Sequence, residues 1–137
     1  MLTTQCIAAD PVPELLRQGF LASTLGPQHV ARARAVLSEW MTKLSERDER
    51  SPWRFYSLSN GGFYVAPLLL TPLASLYRGR EFDGRVSSDA AGIMATLLTL
   101  AQLARESHAH ALTELRDRLL EFAREHPEWI SIQYAIA

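Results

Sequence analysis

The chain has 137 residues, of which 47% are hydrophobic and 21% are charged, a composition typical of one globular domain. Its 14 basic and 15 acidic residues give a formal net charge of −1 at pH 7. This balance argues against direct binding to DNA. It also argues against imitation of DNA, since a mimic of about ten base pairs would need roughly twenty net negative charges. We expect a single domain over residues 1–137, with residues 1–9 flexible.

The sequence also argues against secretion and membrane insertion. Cys6 is the only cysteine, which rules out an internal disulfide and agrees with a reducing cytoplasm. The N-terminus lacks a basic region followed by an apolar segment. The two longest uncharged runs, residues 55–77 and 90–104, are interrupted by glycine and proline or are too short to span a bilayer. We predict a cytoplasmic monomer or weak homodimer without membrane contact.

Two helices are predicted in the first third of the chain. Asp10 followed by a proline is a favourable helix start, so a short helix is expected up to Gln18, with Gly19 ending it. After a Gly-Pro break, apolar residues recur at helical spacing, which predicts an amphipathic helix over residues 27–47.

The next segment predicts a small antiparallel sheet. Residues 53–58 and 62–66 are rich in aromatic side chains and suit two strands. The Asn60-Gly61 pair between them favours a type I′ hairpin turn, in which both central residues need positive φ. Residues 73–82 are predicted as a third antiparallel strand, with Asp83-Gly84 as the turn that follows.

The second half is predicted to be mainly helical. Ser87-Ser88-Asp89 suits the N-terminus of an apolar, central helix over residues 90–104. Gly92 costs about 1 kcal/mol relative to alanine in a helix, so we expect it to permit close approach to the sheet or to another helix. An amphipathic helix over residues 109–126 follows, and residues 129–137 are expected to pack back as a strand or extended tail. The fold class is therefore α+β, a small antiparallel sheet of about three strands with a central Asn-Gly hairpin, packed with four or so helices.

The loop Ser59-Asn60-Gly61-Gly62 could bind an anion, because its backbone amides could face a phosphate. Phosphate-binding loops normally lead into a helix N-terminus, whereas this loop leads into a strand, and no Walker or dinucleotide-binding pattern is present. A hairpin turn is favoured, and no cofactor is predicted.

The titratable residues give no clear active site. His108 and His110 would point to different sides of a helix, and no cysteine or close carboxylate completes a four-ligand metal set, so no metal is predicted. Glu81, Asp83 and Asp89 could do acid–base chemistry or bind a hard cation. A turn at Asp83 and a first-turn helix carboxylate at Asp89 explain these residues better. We therefore predict that the protein is not an enzyme.

An aromatic group surrounds the predicted turn. On a hairpin, alternate side chains face opposite sides, so one set can pack against the central helix. The other set must be covered by a second helix or remain exposed, in which case it would mark a binding surface. Both alternatives stay open. The group consists of Trp53, Phe55, Tyr56, Phe63 and Tyr64.

Two stretches carry a family resemblance. Residues 53–67, WRFYSLSNGGFYVAP, resemble the W-x-F-Y-x-L-S-N-G-G-F-Y-x-A-P signature of the ArdB/KlcA antirestriction proteins. Residues 82–97, FDGRVSSDAAGIMATL, are similar to the F-x-G-x-x-S-x-D-A-A-G-I-x-A-T-L of the same family. The resemblance extends over roughly residues 12–127, and residues 48–52 depart from the family pattern.

The resemblance implies an α+β protein of a plasmid, phage or pathogenicity island that protects incoming DNA from type I restriction enzymes without imitating DNA. It supplies no catalytic residues. The leading hypothesis is an inhibitor that contacts the type I restriction complex, or a host factor that the complex needs. The predicted partner surface consists of Tyr56, Asn60, Gly61, Gly62, Phe63, Tyr64 and Asp89.

Two other functions are compatible with the sequence. One is a small metal- or nucleotide-dependent hydrolase that uses Glu81, Asp83 and Asp89 together with the Asn60 loop. The other is a purely structural or regulatory partner protein with the same fold.

Overall fold

The structure is a computed structural model that describes residues 6–45, 53–67, 73–77 and 82–136. The strands are β1 (Ala9–Pro11), β2 (Trp53–Leu58), β3 (Phe63–Pro67), β4 (Leu73–Tyr77) and β5 (Phe82–Val86). The helices are α1 (Arg17–Leu25), α2 (Val30–Ser45), α3 (Ser88–Ser107), α4 (His110–Arg124) and α5 (Trp129–Ile136). Short 3-10 helices, Glu14–Leu16 and Pro27–His29, precede α1 and α2. The α+β class and the antiparallel sheet are confirmed.

The main sheet has three antiparallel strands in the order β1-β2-β3. Its third member is β1, in the segment predicted to start a helix, and that prediction was wrong. The strand forms because β2 offers it backbone partners: the Val12 N–H donates to the Phe55 carbonyl at 2.8 Å and the Ser59 N–H to the Ala8 carbonyl at 2.9 Å. Such long-range pairing is not visible in the local pattern of residues 8–12.

A second hairpin replaces the single strand predicted over residues 73–82. In it, β4 pairs antiparallel with β5, and Ser75 lies opposite Gly84. Asp83 and Gly84 therefore lie inside β5 and not in a turn, which corrects the prediction. Residues 78–81, including Glu81, lie outside the described residues.

The hairpin between β2 and β3 is confirmed, but its turn is of another type than predicted. The Gly61 N–H donates to the Leu58 carbonyl at 3.0 Å, and the Leu58 N–H donates to the Gly62 carbonyl at 2.9 Å. Gly61 has φ +92°, whereas Asn60 does not have positive φ. This matches the three-residue loop class, in which a turn is followed by a left-handed glycine. The Asn60 side chain is therefore free to face α4.

Helix boundaries depart from the predictions at both ends of the chain. The first helix does not stop at Gly19 but passes through it, and it buries Leu21 and Leu25 on one face. The tail, predicted as extended, is the helix α5, which buries Ile132 and Ala135. Both departures have one physical reason. A short helix is stabilised by tertiary packing when its apolar side chains lie on one face and contact the core. None of the helices that the structure describes is long and apolar enough to cross a membrane.

The helix α3 is the centre of the fold, as predicted. Nearly all of its first ten residues are buried, and α2, α4, α5 and β3 pack around it. Gly92 brings it onto the sheet: a Cβ at this position would lie 2.3 Å from the Val65 carbonyl oxygen and 2.5 Å from the Ala66 Cα. The prediction that Gly92 permits close approach is confirmed.

The helix α3 also closes the open edge of the sheet. β3 is an edge strand, and its Val65 N–H donates to the Thr96 Oγ1 at 3.0 Å, while that hydroxyl donates to the Gly92 carbonyl at 2.8 Å. Gly92 and Thr96 are one helical turn apart and so share a face. The helix thereby covers a strand edge whose unpaired backbone groups could otherwise pair with another chain.

We expect Thr96→Val to lower the free energy of unfolding by about 2 kcal/mol, because it leaves the buried Val65 N–H without a partner. Thr99→Val is the matched control. Thr99 is also buried in α3, but its hydroxyl only adds a bond to the Ala95 carbonyl at 2.7 Å within the helix. Urea unfolding of both variants, followed by circular dichroism, measures the difference. Equal losses in the two variants would contradict the role given to Thr96.

Candidate functional site

One face of the β2–β3 hairpin is covered by α1. Phe20 from this helix contacts Phe55 with ring centroids 5.6 Å apart, and it meets Phe63 edge-on at 5.8 Å. Such tilted and edge-to-face contacts are favourable aromatic packing. Phe63 is only 2% exposed as a result.

The opposite face is covered by α4. Tyr56 and Tyr64 lie directly across the strands and stack with centroids 4.8 Å apart. Tyr64 in turn stacks on Phe122 at 5.6 Å, and Phe122 meets the ring of His126 edge-on at 6.4 Å. Of the aromatic group, Phe55, Phe63 and Tyr64 are buried, while Trp53 and Tyr56 are partly exposed. Helices thus contact both faces of the hairpin without covering it completely.

This burial divides the predicted partner surface. Gly62, Phe63 and Tyr64 are buried, with the two aromatic side chains each 2% exposed. In this fold the Phe63 and Tyr64 side chains pack inside the molecule, and Gly62 has no side chain to offer, so these residues contribute to the packing of the hairpin. A partner can still reach the remaining members, which are Tyr56, Asn60, Gly61 and Asp89.

The tip of the hairpin is fastened to α4. The Asn60 amide nitrogen donates to the Arg118 carbonyl at 2.9 Å, and the Asn60 oxygen accepts the Gly62 N–H at 3.0 Å. A Cβ on Gly61 would lie 3.1 Å from the Arg118 guanidinium. Asn60 thus closes its own turn and joins it to a helix 58 residues further along the chain.

Asp89 collects hydrogen bonds from two elements at the N-terminal end of α3. The Tyr64 hydroxyl donates to its Oδ1 at 2.6 Å, and the His126 Nε2 lies 2.9 Å from its Oδ2. The other ring nitrogen, Nδ1, accepts the Glu128 N–H at 3.0 Å. An acceptor at Nδ1 places the proton of the neutral ring on Nε2, so His126 donates to Asp89. Both nitrogens of the imidazole are therefore engaged.

The electrostatics follow from this arrangement. Burial, with the neighbouring Asp89 carboxylate, raises the pKa of the Tyr64 hydroxyl, which stays protonated as the donor. Partial burial pushes the pKa of Asp89 upward, but the hydrogen bonds from His126 and Tyr64 outweigh it. The net shift of the Asp89 pKa is downward, so the carboxylate is charged near neutral pH.

Glu128 extends the same network to the start of α3. It accepts the Ser87 N–H at 2.9 Å and a short hydrogen bond from the Ser87 hydroxyl, and that hydroxyl accepts the Ala90 N–H at 3.1 Å. Ser87 is thus the N-cap that the sequence predicts, although its link to Glu128 was not foreseen. The role of His126 is not visible in the sequence, because nothing in the local sequence connects it to Asp89, 37 residues earlier.

The arrangement does not favour the hydrolase hypothesis. Asp89 and Asn60 are both used in hydrogen bonds within the fold, and only the backbone of Asp83 is described, inside β5. His126 has no ring nitrogen left to act as a general base. Among the described residues, no group of three or more His, Cys, Asp or Glu side chains could hold a metal ion.

The two other histidines singled out from the sequence lie at a helix junction, as predicted. His108 adopts a left-handed conformation with φ 58° and ends α3, while His110 begins α4 and lies 3.3 Å from Glu114 one turn later. Both are exposed. This geometry is that of a helix–helix connection.

The protein is thus an α+β protein with a three-stranded antiparallel sheet, one edge of which is covered by a central helix, and with an Asn-Gly hairpin that contacts α1 and α4. The family model for antirestriction proteins matches residues 46–137, and the chain belongs to that family. It is 41% identical to the antirestriction protein KlcA of Escherichia coli over 136 residues, which cover 96% of each chain. A second Escherichia coli KlcA is 40% identical over 95% of this chain and 93% of its own.

A solved structure confirms the fold. It belongs to work on the KlcA and ArdB proteins, described as showing a novel fold and antirestriction activity against Type I DNA restriction systems in vivo but not in vitro. The TM-score is 0.88 at 42% sequence identity, and the match covers the whole of both chains. The family predicted from the two motifs is therefore confirmed.

The structure also explains why the two motifs occur together. Tyr64 of the first bonds to Asp89 of the second, and the Val65 N–H of the first bonds to Thr96 of the second. The motifs are two sides of one packing interface between β3 and α3. They mark the fold.

Proposed function

We propose that the protein alleviates type I restriction of incoming DNA by contacting a protein. The partner would be the type I restriction complex, or a host factor that this complex needs. The activity would serve a mobile genetic element inside a bacterial cytoplasm. Membership of the antirestriction family is the observation that carries the proposal.

The charge of the chain supports protein contact over imitation of DNA. A formal net charge of −1 is far from the roughly twenty negative charges on ten base pairs of duplex. A cleft in a restriction subunit that binds a polyanion would gain little electrostatic energy from contact with this nearly neutral protein. Recognition by shape and apolar contact fits the composition better.

The behaviour of the KlcA and ArdB proteins supports the involvement of a further cellular component. Their activity is described as present in vivo and absent in vitro. An inhibitor that bound the purified enzyme tightly would act in both settings. If this chain behaves alike, its partner is missing from the purified reaction.

A plating assay tests the proposal. The chain is expressed in a host that carries a type I restriction system, and the plating efficiencies of unmodified and modified phage are compared. We expect expression to raise the plating of unmodified phage and to leave modified phage unchanged. If the soluble protein is present and the plating efficiency of unmodified phage does not rise, the proposed function is wrong.

The reachable part of the predicted partner surface stays a proposal. Tyr56, Asn60, Gly61 and Asp89 can meet a partner, but Asn60 and Asp89 also hold the fold together. Substitutions there would change stability and function at once. A surface whose alteration leaves the fold intact gives a cleaner test.

A further inference from the structure

A groove of about 590 Å³ lies beside the main sheet, on the side of α1. One wall is formed by residues 10–13, in and just after β1. The facing wall is formed by the 3-10 helix Glu14–Leu16 and by α1, with Ser57 of β2 between them. This groove is separate from the Asp89 network.

The rim of the groove carries exposed apolar side chains. Leu15 is 96% exposed and Leu16 is 61% exposed. Leucines this open to water contribute nothing to the core of the folded chain. Adjacent exposed apolar residues beside a concave surface are a feature of binding sites.

Gly19 leaves open space on the α1 wall of the groove. Within α1 it has ordinary helical φ, and a Cβ built on it meets nothing within 4 Å. Glycine in such a position destabilises a helix relative to alanine, and no internal contact requires it. The hydroxyl of Ser23, one turn later, donates a hydrogen bond to the Gly19 carbonyl at 3.0 Å, so this hydroxyl does not require a hydrogen-bond acceptor from a bound molecule. The wall is small, smooth and mostly apolar.

The opposite wall excludes one kind of occupant. The hydrogen bonds of Ala8 and Val12 point toward β2, so the backbone of Pro11 and Pro13 points away from it. Proline has no N–H, and an added strand would find too few donors along this edge. The occupant is therefore not a strand from a partner or from a second copy.

We propose that the groove binds an amphipathic α-helix of a protein partner. The apolar face of this helix lies on the wall of Gly19 and Phe20 and under Leu16. Helix-in-groove binding needs side-chain anchors and no backbone pairing. The proposal rests on the proposed function, because the partner is taken to belong to the restriction complex or to a host factor that it needs.

The negative charge at the groove indicates that the partner helix carries a positive charge. Among the described residues that line the groove, Asp10 carries the one charge, and Glu14 begins the 3-10 helix at its rim. A lysine or arginine at the edge of the apolar face of the partner helix would meet these carboxylates. The occupant is thus a helix with an apolar stripe and a flanking basic residue.

A pair of single substitutions tests the groove. Gly19→Leu fills the wall, whereas Gln18→Leu adds leucine at the neighbouring exposed position, which does not line the groove. We expect both variants to keep or raise the melting temperature, because leucine is a strong helix former. We expect Gly19→Leu to lower the protection of unmodified phage by about tenfold or more, and Gln18→Leu to leave it unchanged. Full protection by Gly19→Leu would overturn the proposal.

Photo-crosslinking tests the occupant. The chain carries p-benzoylphenylalanine in place of Leu16, or of Gln18 as control, and is irradiated in cells that contain the restriction system. Mass spectrometry should map the Leu16 adduct to a helical apolar segment with a lysine or arginine beside it. Adducts to a second copy, to a small molecule, to a strand, or equally from both positions would each overturn the proposal. If the unaltered chain protects phage while these tests fail, the proposed function stands and only the groove proposal falls.

Discussion

Gly92→Ala is expected to lower the free energy of unfolding by about 3 kcal/mol or more, a large effect for one methyl group. The added Cβ would lie 2.3 Å from the Val65 carbonyl oxygen and 2.7 Å from the Ala66 Cβ. The first of these atoms is backbone, so α3 has to move away from β3. That movement also stretches the hydrogen bond between Thr96 and Val65 and exposes the sheet edge.

Gly19→Ala is the matched control for Gly92→Ala. Both glycines lie in helices, but a Cβ on Gly19 meets only open space. We expect this change to raise the free energy of unfolding by about 1 kcal/mol, because alanine is the better helix former. Urea unfolding of the two variants should show shifts of opposite sign. A shift of the same sign in both would show that helix propensity, and not the contact with Val65, decides the effect.

The part of the fold that could be predicted is the part set by local pattern. Residues 27–47 show clear helical spacing, residues 90–104 form an apolar run behind the capping Ser87-Ser88-Asp89, and Asn60-Gly61 between aromatic strands indicates a hairpin. Gly92 could also be explained in advance, since a helical glycine needs a reason and close packing is the commonest one. These predictions depend on interactions within a few residues, or on composition.

The rest depended on contacts between distant parts of the chain. Strand β1 exists because of β2, more than 40 residues later, and proline-rich residues 10–13 show no strand pattern of their own. Of the candidate site, Asp89 and Tyr64 were chosen from the sequence, but for contact with a partner and not with each other. The role of His126 depends on the fold, which brings the connection between α4 and α5 to Asp89 at the start of α3.

Asp89→Asn is expected to lower the free energy of unfolding by about 2 kcal/mol. The amide has one oxygen, so it can accept the hydrogen bond of the Tyr64 hydroxyl or that of the His126 Nε2, but it has no second oxygen for the other donor. The His126 ring cannot simply exchange its proton, because its Nδ1 accepts the Glu128 N–H. The substitution also removes the negative charge beside the His126 side chain, which is only 11% exposed. The 38% exposure of the Asp89 side chain lets water offset part of the loss.

The effect of Asp89→Asn on the free energy of unfolding should depend on pH, and the lowered pKa of Asp89 sets the direction of that dependence. The pKa of Asp89 is lowered by folding from its ordinary value of 3.8, so its carboxylate stabilises the fold above that value. The contribution is lost as the pH falls through the lower folded-state pKa. The difference in unfolding free energy between the natural chain and Asp89→Asn should therefore narrow below about pH 3.8.

Tyr64→Phe separates the two hydrogen bonds of Asp89. It removes the hydroxyl but keeps the ring that stacks on Tyr56 and Phe122. We expect a smaller loss, about 1 kcal/mol, because water can reach the freed Oδ1 of Asp89. Urea unfolding of the single and double variants at pH 7 and pH 3 gives the coupling between the two sites. If Tyr64→Phe costs as much as Asp89→Asn, the bond to His126 adds nothing, and the network is held by tyrosine alone.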